Sequence, residues 1–152
     1  MNIKVQSDEG CFPLITDNGD LIDLYNKETI TLTQGQYVLL DLGVRMQIPK
    51  GFKANVYPRS STFNKYGIVL ANSVGQIDST YCGPDDVWKA PVIAMRDTII
   101  PKEVRICQFE IVPSMFSNIF QKLKWLLFGK VRLTEVKKLK NKNRDGFGSS
   151  GN

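Results

Sequence analysis

The sequence predicts an all-β protein folded as one antiparallel barrel of the jelly-roll type. Its 152 residues are a usual length for a single domain. Apolar and polar residues alternate along 38–48, which is the period of a β-strand. Further short apolar runs are separated by Gly, Pro, Asn and Asp turns, a spacing typical of barrels and jelly rolls.

The predicted strands follow one another through most of the chain. Ile30 and Leu32 lie between threonines, and the alternation of 38–48 resumes at Phe52 after the turn at 49–51. The remaining predicted strands are 68–70, 87–95, 104–112 and 131–136. We therefore expect residues 1–136 to form the barrel domain.

One segment, 116–128, has helical rather than strand spacing. Its apolar residues recur every three or four positions: Phe116, Ile119, Phe120, Leu123, Leu126 and Leu127. We predict a short helix within an insertion at 116–130, with its apolar face covering a subunit. The alternative is a docking surface for a partner protein or a membrane, because Lys122, Lys124 and Trp125 flank the apolar face.

The composition excludes several kinds of chemistry. The chain has no histidine, so Ser-His-Asp and Cys-His catalysis and histidine metal ligands are excluded. Three cysteines at wide, irregular spacing predict reduced thiols rather than a disulfide framework or a zinc site. A catalytic base would be a carboxylate, and a metal would be a hard cation such as magnesium with oxygen ligands.

The charge distribution points to a solvated tail. Much of the net charge of +5 comes from the basic run 137–144, and no nucleic-acid-binding module accompanies it. The N-terminus is not a signal peptide, and no apolar run has the length of a membrane span. We expect a cytoplasmic protein that binds neither nucleic acid nor membranes. Residues 137–152 should form a flexible arm that is not ordered without a ligand.

Three segments carry groups suited to a phosphorylated ligand. Residues 58–62 combine an arginine fork with hydroxyls, although a capped turn with a surface arginine is the commoner interpretation. Residues 72–83 have the form of a hairpin that carries an amide, the Asp78 carboxylate and the Tyr81 ring, and an ordinary hairpin is equally favoured. The Gly- and Ser-rich end offers backbone N–H groups and Phe147, although a frayed tail is commoner.

Taken in order, five motifs resemble the signature of the trimeric dUTPase family. They are Gly19-Asp20-Leu21-Ile22-Asp23-Leu24, Pro58-Arg59-Ser60-Ser61, Gly75-Gln76-Ile77-Asp78-Ser79-Thr80-Tyr81-Cys82-Gly83 with Asn72 before it, Glu103-Val104-Arg105-Ile106-Cys107-Gln108-Phe109, and Arg144-Asp145-Gly146-Phe147-Gly148-Ser149-Ser150-Gly151. The residues in these motifs are similar to those of the family branch found in some Gram-positive bacteria and their phages. The resemblance implies a jelly-roll-like barrel that forms a homotrimer, with active sites shared among subunits and closed by the arm.

The resemblance also implies an activity, the magnesium-dependent cleavage of dUTP into dUMP and pyrophosphate. Asp78 would be the general base for a water that attacks the α-phosphorus. Asp23 would order either the waters of the metal or the phosphate-binding arginine, and the triphosphate rather than the protein would hold the metal. The enzyme would limit uracil incorporation into DNA and supply dUMP for dTMP synthesis.

The same resemblance assigns the binding residues. Ser60 and Gln108 would join Asp78 and Asp23 in catalysis, Asn72 would read uracil, and Tyr81 would pack under the deoxyribose. The residues implied to bind substrate are Arg59, Ser60, Ser61, Asn72, Gly75, Ile77, Asp78, Tyr81, Gln108, Arg144, Phe147, Gly148, Ser149 and Ser150.

Two rival functions stay open beside this one. The closest enzymatic rival is a dCTP deaminase of the same fold, but that reaction uses a glutamate on the strand after the third motif, and 87–95 contains no acidic residue. The other rival is a regulator that binds a partner protein through 116–128. The chain departs from the family at Leu21-Ile22, where most members have Ala-Gly, and at Cys82, where arginine or another polar residue is frequent.

Overall fold

The computed structural model describes residues 1–17, 19–144 and 146. These residues are mostly β-structure, so the predicted fold class is confirmed. The strands are β1 (Asn2–Ser7), β2 (Ile22–Tyr25), β3 (Ile30–Leu32), β4 (Tyr37–Asp41), β5 (Val44–Gln47), β6 (Phe52–Pro58), β7 (Ile68–Leu70), β8 (Gly75–Asp78), β9 (Lys89–Ala94), β10 (Thr98–Ile100), β11 (Arg105–Pro113) and β12 (Arg132–Glu135). The helices are α1 (Thr62–Tyr66) and α2 (Ile119–Phe128).

The described strands form four small sheets around one apolar core. Their strand orders are β12-β1-β5, β10-β3, β2-β11-β6-β8 and β4-β9-β7. All of these pairs are antiparallel except β1 with β12, which run parallel. Each sheet contributes buried side chains to the core, where the rings of Trp88 and Phe109 meet edge to face with centroids 5.2 Å apart.

The alternation over 38–48 does not form one strand, so that prediction is wrong at residues 42–43. β4 pairs with β9, whereas β5 pairs with β1 in another sheet. Gly43 turns the corner with φ of 65°, a backbone conformation that favours glycine. Its N–H donates to Asp41 Oδ1 at 2.7 Å, and its carbonyl accepts from the N–H of Asp8 at 2.8 Å. Leu42 stays buried through the corner, so the alternation continues although the sheet changes.

The helix predicted at 116–128 runs from Ile119 to Phe128. Asn118 caps it by accepting from the N–H of Gln121 at 2.8 Å. Trp125 packs on Phe52 with ring centroids 5.6 Å apart, and the Gln121 amide donates to the carbonyl of Lys50 at 3.0 Å. Most apolar side chains of the helix point away from the barrel of the same chain and are exposed, so the expectation that the helix covers a subunit stays a prediction. No helix within the described ranges is long and apolar enough to cross a membrane.

The cysteines are free thiols, as predicted. All three, Cys11, Cys82 and Cys107, are free and buried. Burial raises the pKa of the Cys107 thiol to about 12, and burial also raises the pKa of Cys11. These two thiols therefore stay protonated, and unreactive as nucleophiles, at neutral pH.

An ion cluster joins β5 to the segment that follows β1. Asp8 lies 2.7 Å from Arg45 Nη1 and 3.0 Å from Lys27 Nζ, and Lys27 also lies 3.6 Å from Asp41. Burial acts to raise the pKa of Asp8, but the hydrogen bonds and charges of Lys27 and Arg45 outweigh it, so this pKa is lowered. The bond to Asp8 raises the pKa of Lys27 in turn.

We expect Asp8→Asn to lower the melting temperature at pH 7 but not at strongly acid pH. The folded-state pKa of Asp8 is depressed, so ionised Asp8 stabilises the fold above the unfolded-state pKa of about 3.9. That stabilisation is lost as the pH falls through the folded-state pKa. Circular dichroism melts from pH 7 to pH 2 measure the difference, with Asp97→Asn as an exposed control. A difference that stays constant over this range would contradict the assignment.

Candidate active site

Four of the five motifs lie on neighbouring strands of one sheet. The order β2-β11-β6-β8 brings Asp23 beside Gln108, and Gln108 beside Tyr57, which is followed by Pro58 and the second motif. The third motif begins with β8 itself, on the other side of β6. Segments far apart in the chain therefore meet through strand pairing.

Two arginines share one buried carboxylate at one end of this sheet, and we call Asp23, Arg59 and Arg105 the arginine cluster. Arg59 Nε donates to Asp23 Oδ1 at 2.7 Å, and Arg105 Nη1 donates to Asp23 Oδ2 at 3.1 Å. The side chain of Asp23 is 6% exposed, whereas those of Arg59 and Arg105 are 23% and 41% exposed. Two positive charges against one negative charge leave a net positive charge at the surface. This arrangement suits phosphate oxygens.

The local fold explains why Arg59 is presented there. β6 ends at Pro58, and the chain turns into α1 with the N–H of Thr62 donating to the carbonyl of Arg59 at 3.0 Å. The buried Thr62 hydroxyl donates to the carbonyl of Ile106 at 2.7 Å, which holds the turn against β11. Gln108 donates to the carbonyl of Pro58 at 3.3 Å. Ser60 is exposed and Ser61 is half-buried in the same turn.

A second group lies at the end of β8, and we call Asp78, Thr80 and Arg144 the Asp78 cluster. Arg144 Nη1 lies 2.7 Å from Asp78 Oδ2 and donates to the hydroxyl of Thr80 at 2.8 Å. The side chain of Asp78 is 61% exposed. A carboxylate this accessible can reach a water molecule, which is the geometric requirement for a general base.

The two clusters lie at opposite ends of β6. Asp78 pairs with Lys53 near the start of β6, whereas Arg59 follows its last residue, Pro58. Five residues at about 3.3 Å each separate Lys53 from Pro58, so roughly 17 Å lies between the two ends. A single chain therefore brings Asp23, Arg59, Ser60 and Gln108 together but keeps Asp78 apart from them.

The segment 72–83 is not a hairpin, and that prediction is wrong. β7 pairs with β9, whereas β8 pairs with β6 in a different sheet, so the chain crosses between sheets at residues 71–74. Asn72 is exposed in this crossing, and Gly75 and Ile77 are half-buried in β8. A hydrogen bond from the Tyr81 hydroxyl to the carbonyl of Val87, at 2.9 Å, fixes the aromatic ring beyond β8.

Residues 137–144, the root of the predicted arm, lie against the loop 82–86. Leu139 is 3% exposed, and its N–H donates to Gln6 Oε1 at 2.9 Å. Asn143 Nδ2 donates to Asp85 Oδ2 at 2.6 Å. The N–H of Arg144 donates to the buried carboxylate of Asp86, 3.0 Å from Oδ1.

Sequence reasoning gave no role to Asp86 or to Arg105. Asp86 also accepts the N–H of Gly83 at 2.8 Å, so one carboxylate holds both the loop of the third motif and the root of the arm. Arg105 belongs to the fourth motif and Asp86 to none of the five, and the role of each side chain is visible only from the group that it contacts. Phe147, Gly148, Ser149 and Ser150, which were predicted to bind the substrate, lie outside the described residues.

The described part of the chain holds no group of three or more His, Cys, Asp or Glu residues that could bind a metal ion. Asp23 has both oxygens engaged by arginines, and Asp78 is one exposed carboxylate. These residues suit a hard cation that arrives with an oxyanion ligand rather than one caged by the protein.

Comparisons with known proteins agree with this arrangement. The crystal structure of a dUTPase from Streptococcus mutans superimposes with a TM-score of 0.68 at 26% identity, over 78% of this chain and 99% of that one. A mutant dUTPase from phage phi11 of Staphylococcus aureus, which coordinates a structural Mg(II) ion, has the same fold with a TM-score of 0.66 at 17% identity, over 77% of this chain and 94% of that one. The fold is therefore that of the dUTPase β-barrels.

Sequence comparison identifies the family. The dUTPase family model matches residues 18–151. A deoxyuridine 5'-triphosphate nucleotidohydrolase derived from the SPbeta prophage of Bacillus subtilis is 41% identical over 135 residues, which is 89% of this chain and 86% of that protein. The Clostridium acetobutylicum enzyme of the same name is 30% identical over 158 residues, covering 99% of this chain and 96% of its own. The chain belongs to the dUTPase family.

We expect Asn143→Ala to loosen the root of the arm without unfolding the barrel. The substitution removes two hydrogen bonds with Asp85, because Asn143 Nδ2 donates to Asp85 Oδ2 and Asn143 Oδ1 accepts from the N–H of Asp85 at 3.0 Å. Each contributes a net ~0.5–1.5 kcal/mol, so local opening should rise roughly fivefold to a hundredfold. Limited trypsin digestion measures cleavage after Lys140 and Lys142, with Asn64→Ala in α1 as a control. Equal cleavage rates in the two variants would show that the root is not held by this contact.

Proposed function

We propose that the protein hydrolyses dUTP to dUMP and pyrophosphate by attack of water on the α-phosphorus. The observation that carries this proposal is the placement of the arginine cluster and the Asp78 cluster on one sheet of a dUTPase-family chain. The oxygen of the water forms a bond to the α-phosphorus, the bond from that phosphorus to the oxygen bridging to the β-phosphate breaks, and pyrophosphate leaves. An in-line displacement of this kind needs positioning and charge neutralisation.

The arginine cluster would bind the phosphates. Asp23 engages Nε of Arg59 and one terminal nitrogen of Arg105, so the remaining N–H groups of both guanidiniums stay available as donors. Ser60 and Ser61 add hydroxyl groups, and Gln108 would turn its amide from the carbonyl of Pro58 towards the ligand. The buried pairing favours the positioning role for Asp23, the orientation of the arginines, over the ordering of metal-bound waters.

Asp78 would take the proton from the attacking water. In the chain without nucleotide its carboxylate is paired with Arg144, so binding would require this arginine to move from Asp78 to the phosphates. Such exposed ion pairs contribute only ~0–1 kcal/mol, so a triphosphate with several negative charges can compete for Arg144. Release of the base would then accompany substrate binding.

Magnesium fits this site as a companion of the triphosphate. When bound, the ion neutralises phosphate charge and so assists the displacement. No set of protein ligands for the ion exists among the described residues. The carboxylate of Asp23 is engaged by two arginines, and that of Asp78 would act as the base. Its dependence on the phosphates predicts that the metal and the nucleotide bind together.

The base and sugar would bind along β8 and the loop that follows it. Backbone groups of Gly75 and Ile77 with Asn72 would read uracil, and Tyr81 would pack under the deoxyribose. The hydrogen bond from Tyr81 to Val87 supports this role, because it keeps the ring from rotating away. Phe147, Gly148, Ser149 and Ser150 would complete the site from the arm.

The separation of the two clusters supports a homotrimer with shared sites. In a cyclic trimer each subunit uses two different surfaces, so the arginine cluster of one subunit can face the Asp78 cluster of the next. Each site would then contain both clusters although no single chain brings them together.

The proposed cellular role is to limit uracil incorporation into DNA and to supply dUMP for dTMP synthesis. A regulatory partner for 116–128 stays a prediction.

We expect Asp78→Asn to reduce the rate of pyrophosphate release by ~10²–10⁴-fold, because general-base catalysis contributes that much. The assay uses dUTP, dCTP, dTTP and UTP with magnesium, and Asp97→Asn is the matched control on an exposed turn. Release from dUTP alone, retained in the control, is the expected result. Ammonia production from dCTP would instead favour the deaminase, and no reaction with any nucleotide would favour the regulatory protein.

Subunit mixing tests the shared site. Arg59→Gln and Asp78→Asn trimers should each be nearly inactive, but co-refolding them in equal amounts should restore about a quarter of wild-type activity. Random assembly gives each site an intact arginine cluster with probability about one half and an intact Asp78 with probability about one half. Separately refolded variants mixed at the end serve as the control. No recovery after co-refolding would mean that each chain completes its own site.

A further inference from the structure

Among the described residues, the outer face of α2 carries a group of exposed apolar side chains outside the proposed dUTP site. Ile119, Phe120, Leu123, Leu126 and Leu127 are all exposed, from 50% for Leu123 to 80% for Leu126. Met115 and Phe116, just before the helix, are exposed as well. A contiguous patch of this kind on a folded protein marks a contact surface.

The orientation of the helix is fixed by polar contacts, so this face is presented outward. At about 100° per residue, these five apolar residues of α2 occupy one arc, and Gln121 and Trp125 lie on the opposite side. Gln121 is bonded to the carbonyl of Lys50, and Trp125 is packed on Phe52. Ser117 also donates to the carbonyl of Gly51 before the helix begins. Rotation that buried the arc would break these contacts.

The charges around the arc are all positive. Lys122 lies at one margin of the arc and Lys124 at the other, and both are exposed. Lys130 and Arg132 follow the helix, and no acidic residue occurs anywhere in 111–134. An apolar stripe edged by lysines matches the boundary between lipid acyl chains and anionic headgroups.

We propose that α2 docks the protein on the surface of an anionic phospholipid membrane, with the arc Ile119–Leu127 inserted and Lys122 and Lys124 on the headgroups. A protein partner fits less well, because protein interfaces carry about one hydrogen bond per 100–200 Å² and are depleted in lysine, and the arc offers no hydrogen-bonding side chain. Pairing of two facing arcs fits less well, because it would bring lysines together without a carboxylate to pair them. This contact revises the expectation of no membrane binding and goes beyond dUTP hydrolysis.

Vesicle co-sedimentation of the full chain tests this proposal. We expect binding to vesicles of phosphatidylglycerol and phosphatidylcholine, and little binding to phosphatidylcholine alone. Phe120→Ser with Leu127→Ser should weaken binding at least about tenfold, because two inserted apolar side chains are lost. The control is Met95→Ser with Ile99→Ser, which removes two exposed apolar side chains from the barrel and should change nothing.

A charge-matched pair separates the helix from the basic arm. Lys122→Glu with Lys124→Glu should abolish vesicle binding, whereas Lys137→Glu with Lys138→Glu, the same change in net charge, should retain most of it. Equal loss of binding in the two pairs, or no binding of the wild type to anionic vesicles, would overturn the proposal.

Sedimentation equilibrium is a further check, because a lower oligomeric state in Phe120→Ser with Leu127→Ser would make the arc a subunit interface and would also overturn the proposal. Pyrophosphate release in solution should stay within about twofold of wild type in the three variants outside the arm, so failure of the membrane proposal and failure of the proposed hydrolysis are distinguishable.

Discussion

The pairing of the buried Asp23 carboxylate with two arginines is the interaction on which the arginine-cluster end of the sheet depends. A carboxylate removed from water is tolerated only when it is paired and hydrogen-bonded. Its partners come from two other segments, Arg59 after β6 and Arg105 at the start of β11, so three strands are tied together by one charge. Because one negative charge meets two positive charges, the same pairing leaves a net positive charge for a ligand. In the proposed function, the fold and anion binding would use the same atoms, and neither arginine can be removed without leaving the buried charge short of a partner.

The register of β6 decides how the rest of the site is built. Lys53 pairs with Asp78 and Cys107 pairs with Pro58, so the two reactive ends are separated by most of a strand. A strand is stiff and extended, and no side chain spans such a length. In the proposed trimer, the motifs that are neighbours in a sheet would belong to two different half-sites, and assembly of subunits would join them.

Features set by neighbouring residues could be predicted from the sequence, whereas features set by contacts between distant segments could not. The period-two alternation is local, and it predicted the strands and the buried side of 38–48 correctly, but not the corner that Gly43 makes between sheets. The helical spacing predicted α2, but periodicity does not tell which face turns inward. Trp125 and Gln121 decide that through contacts with Phe52 and Lys50, far away in the chain. The motifs named the candidate residues, while the separation of Asp78 from Arg59 depends on strand register, which no motif encodes.

The ion pair between Arg144 and Asp78 connects the arm to the candidate base. Arg144 has its backbone fixed on the buried Asp86, so its position on the loop is maintained while its side chain remains 40% exposed and free to be redirected. The pair is weak because water screens it, yet it occupies the oxygen that would accept a proton. A ligand that draws the guanidinium away thereby frees the carboxylate at the moment when the phosphates are in place. The backbone anchor makes this exchange local, since the side chain can move to a phosphate without the root of the arm leaving the barrel.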